Sequence, residues 1–172
     1  MHVNDYGAEA EEHEAGPIEF MTFEEVFDPD LIEFFVAGEP VPQGSTKAFY
    51  IKKLDRVVTT HTNANTEVWR NRIATEAQHA DQLRPHSYFS EDRRVGYEVY
   101  MDFVFTKPKS APKRRKHNTK RPDLDKLVRA ALDGITNILI PDDSQVVRIT
   151  AGKCYGQCDQ PPGLHISVRR LD

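Results

Sequence analysis

Two cysteines, Cys154 and Cys158, are too few for a disulfide framework. No apolar run approaches the roughly eighteen residues needed to cross a bilayer. The acidic first stretch is the opposite of a signal peptide, so a cytoplasmic protein without a membrane partner is expected. Lys and Arg are absent from residues 1–30, which hold ten of the chain's 27 acids. The remainder carries 17 acids against 23 bases, a net of +6, so the overall charge of −4 conceals an acidic arm joined to a basic body. Acids, in turn, are absent from Lys107 to Arg121. There Lys107, Lys109, Lys113, Arg114, Arg115, Lys116, Lys120 and Arg121 make eight cations in fifteen residues. Pro108, Ser110 and Pro112 make that run a loop. Left alone it is a solvated, mobile loop; beside a catalytic centre it is a surface for a polyanion such as DNA, with salt-sensitive binding.

The stretch that follows organises the chain. Leu124, Leu127, Val128, Ala131, Leu132, Ile135, Ile138 and Leu139 recur at spacings of three and four, the stripe of a helix buried on one side. Pro122 suits a helix start, and Asp123 and Asp125 favour the positive end of its dipole. Gly134 is a weak interior position, so the helix either ends there or continues strained to Leu139. Pro141, Asp142, Asp143 and Ser144 read as a turn.

Asp123 and Asp125 converge if the first lies in the extended entry and the second in the first helical turn. Asp143 must then join them. A helix ending near Gly134 is roughly 16 Å long, and the nine residues after it can span about 30 Å. A return within one chain is therefore open, as is a site completed across a dimer interface. Three carboxylates without a thiol or imidazole suit Mg²⁺, with Mn²⁺ as a substitute. The plainer alternative makes Asp123 a helix cap, Asp125 a solvated charge, and Asp142 and Asp143 turn residues.

Pro122-Asp123-Leu124-Asp125, then Arg129, then Leu132-Asp133-Gly134-Ile135, then Asp142-Asp143-Ser144-Gln145-Val146 resembles the RusA family of Holliday-junction resolvases. The likeness is dense over these residues and looser from Phe34 to Val168. The resemblance implies a RusA-like fold and a Mg²⁺-dependent endonuclease that resolves four-way junctions as a homodimer, in a bacterial host's cytosol if phage-encoded. It assigns metal-binding and catalytic roles to Asp123, Asp125 and Asp143, the last being the second Asp of its pair; Asp142 beside it is a further candidate metal ligand. The family usually has Asn where this chain has Lys126, and Lys where it has Arg129. Arg129 keeps the charge and can clamp a phosphate but cannot release a proton, so Lys126 is a candidate to share the catalytic work. A non-catalytic junction-binding protein and a nuclease acting on flaps or forks are the alternatives.

Residues 1–31 are expected to be an acidic, partly disordered extension with a short helix from Thr22, either packed on the surface or covering the DNA face. Residues 32–172 are expected to form one α/β (α+β mixed) domain, with helices on a mixed sheet. Ile32–Ala37 reads as a strand, followed by the turn-rich Gly38–Thr46, whose amides are candidates to approach a phosphate. Ala48–Lys53 and Arg56–Thr60 read as a hairpin. Thr66–Ala80 reads as a helix with Val68, Trp69, Ile73, Ala77 and Ala80 inward. Val95–Thr106 alternates as a strand, with Glu98 and Asp102 on its solvated side. Val146–Lys153 and Leu164–Arg170 close the chain. Cys154, Cys158 and His165 match structural zinc spacing poorly.

Overall fold

A computed structural model describes residues 28–171 except 45, 62–64, 113 and 157–159. The expected helix from Thr22 and the rest of the acidic arm before residue 28 lie outside the described residues. Strand β1 (Leu31–Ala37) leads through the Gly38–Gly44 loop to a hairpin of β2 (Thr46–Ile51) and β3 (Arg56–His61). Helix α1 (Asn65–Gln82) follows, then β4 (Gly96–Phe105), helix α2 (Leu124–Ile135), β5 (Val146–Tyr155) and β6 (Gly163–Leu171). One four-stranded sheet has the order β1-β6-β4-β5, and β2-β3 form a separate two-stranded sheet. β6 is antiparallel to both β1 and β4, whereas β5 runs parallel to β4. The fold is therefore mixed α+β, as the element order implied.

Alternation along β4 sets the layers. Tyr97, Val99, Met101 and Phe103 are fully buried, and their register neighbours on β6, Arg170, Val168, Ile166 and Leu164, share that side. Ile32 and Val36 of β1 extend it. A one-residue slip would turn every one of these side chains to the other face, so burial pins the register. Against this side α1 packs Trp69, Ile73 and Ala77, and α2 packs Leu127, Ala130, Ala131 and Ile135. Val68, expected to point inward, is 59% exposed. It neighbours Trp69 on the helix surface, and the bulkier Trp takes the core-facing line.

The other sheet face carries Glu98 and Asp102. Glu98 pairs with Arg148 at 3.2 Å, and Asp102 accepts a hydrogen bond from Tyr100 Oη at 2.6 Å. These are the solvated strand positions expected of them. Val104 has the same parity but is buried, because Gly156 closes over it.

Gly134 decides how closely the helices approach. Alanine there would favour the helix by about 1 kcal/mol, but its Cβ would lie 2.8 Å from Ile73 Cγ2 and 2.9 Å from Ile73 Cβ. Overpacking of that kind costs about 1–3 kcal/mol, so the contact with α1 outweighs propensity. The helix ends one residue later. Thr136 is extended and its N–H closes on the Leu132 carbonyl. Asn137 takes a left-handed φ of 64°, a conformation that Asn tolerates better than most residues. The stripe's last apolar residues thus lie in a turn, with Leu139 and Ile140 buried.

Candidate active site

Asp123 is the residue at which α2 begins, with extended φ −72° and ψ 140°, and its side chain makes no capping hydrogen bond. The carboxylate instead lies 3.4 Å from Lys126 Nζ. Asp125 is exposed in the first turn, and Arg129 is exposed one turn further on. Among the described residues neither takes part in an ion pair. The extended-then-helical entry expected of the Asp123–Asp125 pair is present.

What fixes this entry is Lys153 on β5. Its Nζ donates to the carbonyls of Lys120 at 2.7 Å and Pro122 at 2.6 Å, across the cis Arg121–Pro122 peptide. The sequence reading missed Lys153. Its signal was parity, since Ile149, Ala151 and Lys153 lie opposite Val99, Met101 and Phe103 on the helix-facing side, and a Lys on that side needs polar partners. If the expected nuclease site lies here, Lys153→Met should lower its cleavage rate about tenfold through the lost charge-assisted bonds, with Lys153→Arg partly restoring it. Equal rates for all three proteins would remove Lys153 from any positioning role.

The basic loop is held at the same end. Tyr155 N–H donates to the Lys116 carbonyl at 2.8 Å, and His117 and Cys154 form a β-bridge. Within the loop, Asn118 is buried and its Oδ1 accepts the Lys120 N–H at 3.1 Å. Lys109, Arg114, Arg115, Lys116, Lys120 and Arg121 are exposed, Lys107 is half-buried, and Lys113 lies outside the described residues. The cationic run therefore stands beside Asp123 and Asp125. The Gly38–Gly44 loop also reaches this end, through Gln43 N–H to the Lys126 carbonyl at 2.8 Å.

Asp143 is elsewhere. It opens a 3-10 turn, Asp143–Gln145, that feeds the start of β5, where Gln145 Nε2 donates to the Val95 and Asp92 carbonyls before β4. Asp142 accepts the Ser144 N–H at 2.9 Å and lies 3.8 Å from Arg93. Hydrogen bonds from Ser144 hold the Asp142 carboxyl below its ordinary value, and Arg93 adds to the effect. For Asp142 the turn role is the one seen.

Because β5 is parallel to β4, α2 starts at one end of the sheet and β5 at the other. Twelve helical residues rise about 18 Å, and the steps along β5 from Val146 to Lys153 rise about 23 Å. Asp143 is thus on the order of 20 Å from Asp123 and Asp125. Among the described residues no three His, Cys, Asp or Glu side chains form a group able to hold an ion. The return of Asp143 within one chain is not made, because the turn at Thr136–Ile140 is anchored in the core by Leu139 and Ile140 and sends the chain directly into β5.

Comparison with known proteins bears on this arrangement. The family described as Endodeoxyribonuclease RusA matches residues 37–169. The chain belongs to the RusA family. It is accordingly an endodeoxyribonuclease, a hydrolase acting on DNA. A Bacillus subtilis (strain 168) protein, the uncharacterized YqaN, is 26% identical over 148 residues, covering 83% of this chain and 98% of that protein. The matched RusA region includes α2, the basic loop and the β5 entry, so Asp123, Asp125 and Asp143 all lie within it. Among the described residues no helix is long and apolar enough to cross a membrane.

Proposed function

We propose that this RusA-family chain resolves four-way DNA junctions by paired phosphodiester hydrolysis, in DNA recombination and repair, at a Mg²⁺ site shared between two copies. The observation that carries the proposal is the cationic loop pinned against the helix entry that presents Asp123 and Asp125. The carboxylates there fit a hard cation. They are oxygen donors, and Asp123 is not consumed in capping. Asp123 and Asp125 from one copy, with Asp143 from the other, would hold the ion, and Asp142 would keep Asp143 presented through its turn.

Strand β5 supports the dimer. It is an edge of the four-stranded sheet up to Lys153, beyond which the basic loop bridges Cys154 and Tyr155, and Val147 and Ile149 on it are 68% and 42% exposed. Such an edge is a ready template for pairing. Two β5 edges related by a two-fold axis run antiparallel, which sets the start of one strand beside the end of the other. The second copy's Asp143 then meets the Lys153–Pro122–Asp123 corner. Two such sites per dimer match the two strands of a junction that must be cut.

Arg129, one turn from Asp125 and exposed, would hold the scissile phosphate and the charge that develops on it. Lys126 neutralises Asp123 in the free protein and can shift to a phosphate once a cation takes its place. Mg²⁺ would supply the Lewis acidity that makes water nucleophilic near neutral pH and stabilises the leaving oxygen. The loop from Lys107 to Arg121 binds the backbone and guides the strand to this point.

The test is a labelled synthetic junction in Mg²⁺, beside linear duplex and a flap. Symmetric paired nicks in the junction alone are expected. Cutting only the flap would overturn the substrate, and tight binding without cutting would leave a junction-binding protein.

A further inference from the structure

Beside Asp123 lies a cleft of about 460 Å³ lined by Pro40, Pro42, Arg121, Pro122, Asp123 and Lys126. Three of these six residues are prolines, which offer compact apolar rings and no N–H. Proline has almost no side-chain entropy to lose, so these walls are set before any ligand arrives. The Gly38–Gly44 loop that supplies Pro40 and Pro42 is tied on both sides of the cleft. Thr66 Oγ1 donates to the Pro42 carbonyl at 2.9 Å, and Gln43 N–H donates to the Lys126 carbonyl at 2.8 Å. Pro122 of the lining belongs to the turn clamped by Lys153. A slot with rigid proline walls therefore also carries the cations Arg121 and Lys126 and a carboxylate of the proposed metal site.

We infer that this slot takes a single unstacked nucleobase of the strand being cut, next to the scissile phosphate. The inference rests on the nuclease reading above and adds a subsite to it. A base has an apolar face for the proline rings and is attached to phosphates that suit Arg121 and Lys126. A base inside a continuous duplex is covered by its neighbours above and below, so only a base freed from the stack can enter. Extrusion is least costly where pairing is already interrupted. The branch point of a junction meets that condition and linear duplex does not. The slot thereby gives preference for branched DNA without reading a base edge.

The experiment replaces each nucleotide around the cut phosphate, one at a time, by an abasic tetrahydrofuran residue in the synthetic junction. Loss of a base adjacent to the cut should slow nicking about tenfold or more, since one stacked base contributes on the order of five- to a hundredfold. Abasic residues at other positions should change the rate less than about threefold. Pro42→Gly should slow cutting of the intact junction and bring intact and abasic rates within about threefold of each other, the non-additivity of a base and its slot. A 2-aminopurine at the sensitive position should brighten when the junction binds the Asp125→Asn protein, which reports unstacking without cleavage. Sensitivity at no position, or only at positions away from the cut, overturns the slot while the nuclease reading survives. Full additivity of Pro42→Gly with the abasic residue overturns it too. An intact junction that is never cut sinks the parent reading and this one together.

Discussion

Asp125→Asn is expected to lower junction cleavage at least about a thousandfold, the scale on which removing one group that stabilises reacting charge acts. Junction affinity, measured without divalent metal, should change less than threefold. Asp125 is exposed in the first turn of α2, so the neutral amide creates no cavity and no buried unpaired group. Its loss costs at most the 0.3–1 kcal/mol or so that an acid contributes at a helix start. A fall in rate thus cannot be blamed on unfolding, and thermal denaturation of the variant supplies the check. Binding is retained because it rests on the loop cations from Lys107 to Arg121, and removing a negative charge beside them can only strengthen attraction to phosphate. Affinity in both proteins should drop steeply with added salt. If Asp125→Asn binds much more weakly yet cuts at an undiminished rate per bound complex, the carboxylate orders the DNA face and holds no ion.

The helix entry could be read from the sequence because its signals are local. Pro122, two early acids and an apolar stripe at helical spacing specify a start, and α2 begins at Leu124 with Asp123 extended. The hairpin was equally legible, with Ile51 paired to Arg56 across a turn whose Asp55 takes a φ of 45°. The whereabouts of Asp143 were not, because they depend on the direction of β5 relative to β4. Local alternation is the same for parallel and antiparallel neighbours. A strand, a helix and a second strand that form a parallel crossover always leave the helix start and the second strand's start at opposite ends. Had that crossover been assumed, the separation of roughly 20 Å would have followed from the rise per residue alone. Val68 was misplaced for a related reason, since period alone does not choose between two adjacent helix lines when both carry apolar residues. The proline slot left no local mark either, because Pro40 and Pro42 are far from Pro122 in the chain and meet it through the fold, with Gln43 N–H bonded to the Lys126 carbonyl.

Asp125→Asn and Asp143→Asn proteins, each inactive alone, should recover activity when co-expressed. Each proposed site draws Asp123 and Asp125 from one copy and Asp143 from the other. A mixed dimer then contains one site with both substitutions and one site with neither. Random pairing makes half the dimers mixed, so roughly a quarter of the wild-type number of intact sites should return. Because each mixed dimer has a single working site, it should nick one strand of a junction without the paired second cut. Sites built within one chain predict no recovery at all, since every chain then carries a dead site. A complementary arm uses the double variant Asp125→Asn/Asp143→Asn mixed equally with wild type. With shared sites every mixed dimer is dead, leaving about a quarter of the activity, whereas sites within one chain leave about half. Both arms depend on the separation imposed by the parallel β4–β5 pair, so recovery in the first with a quarter in the second identifies the dimer as the catalytic unit. A protein that sediments as a monomer while cutting at full rate would refute the shared site outright.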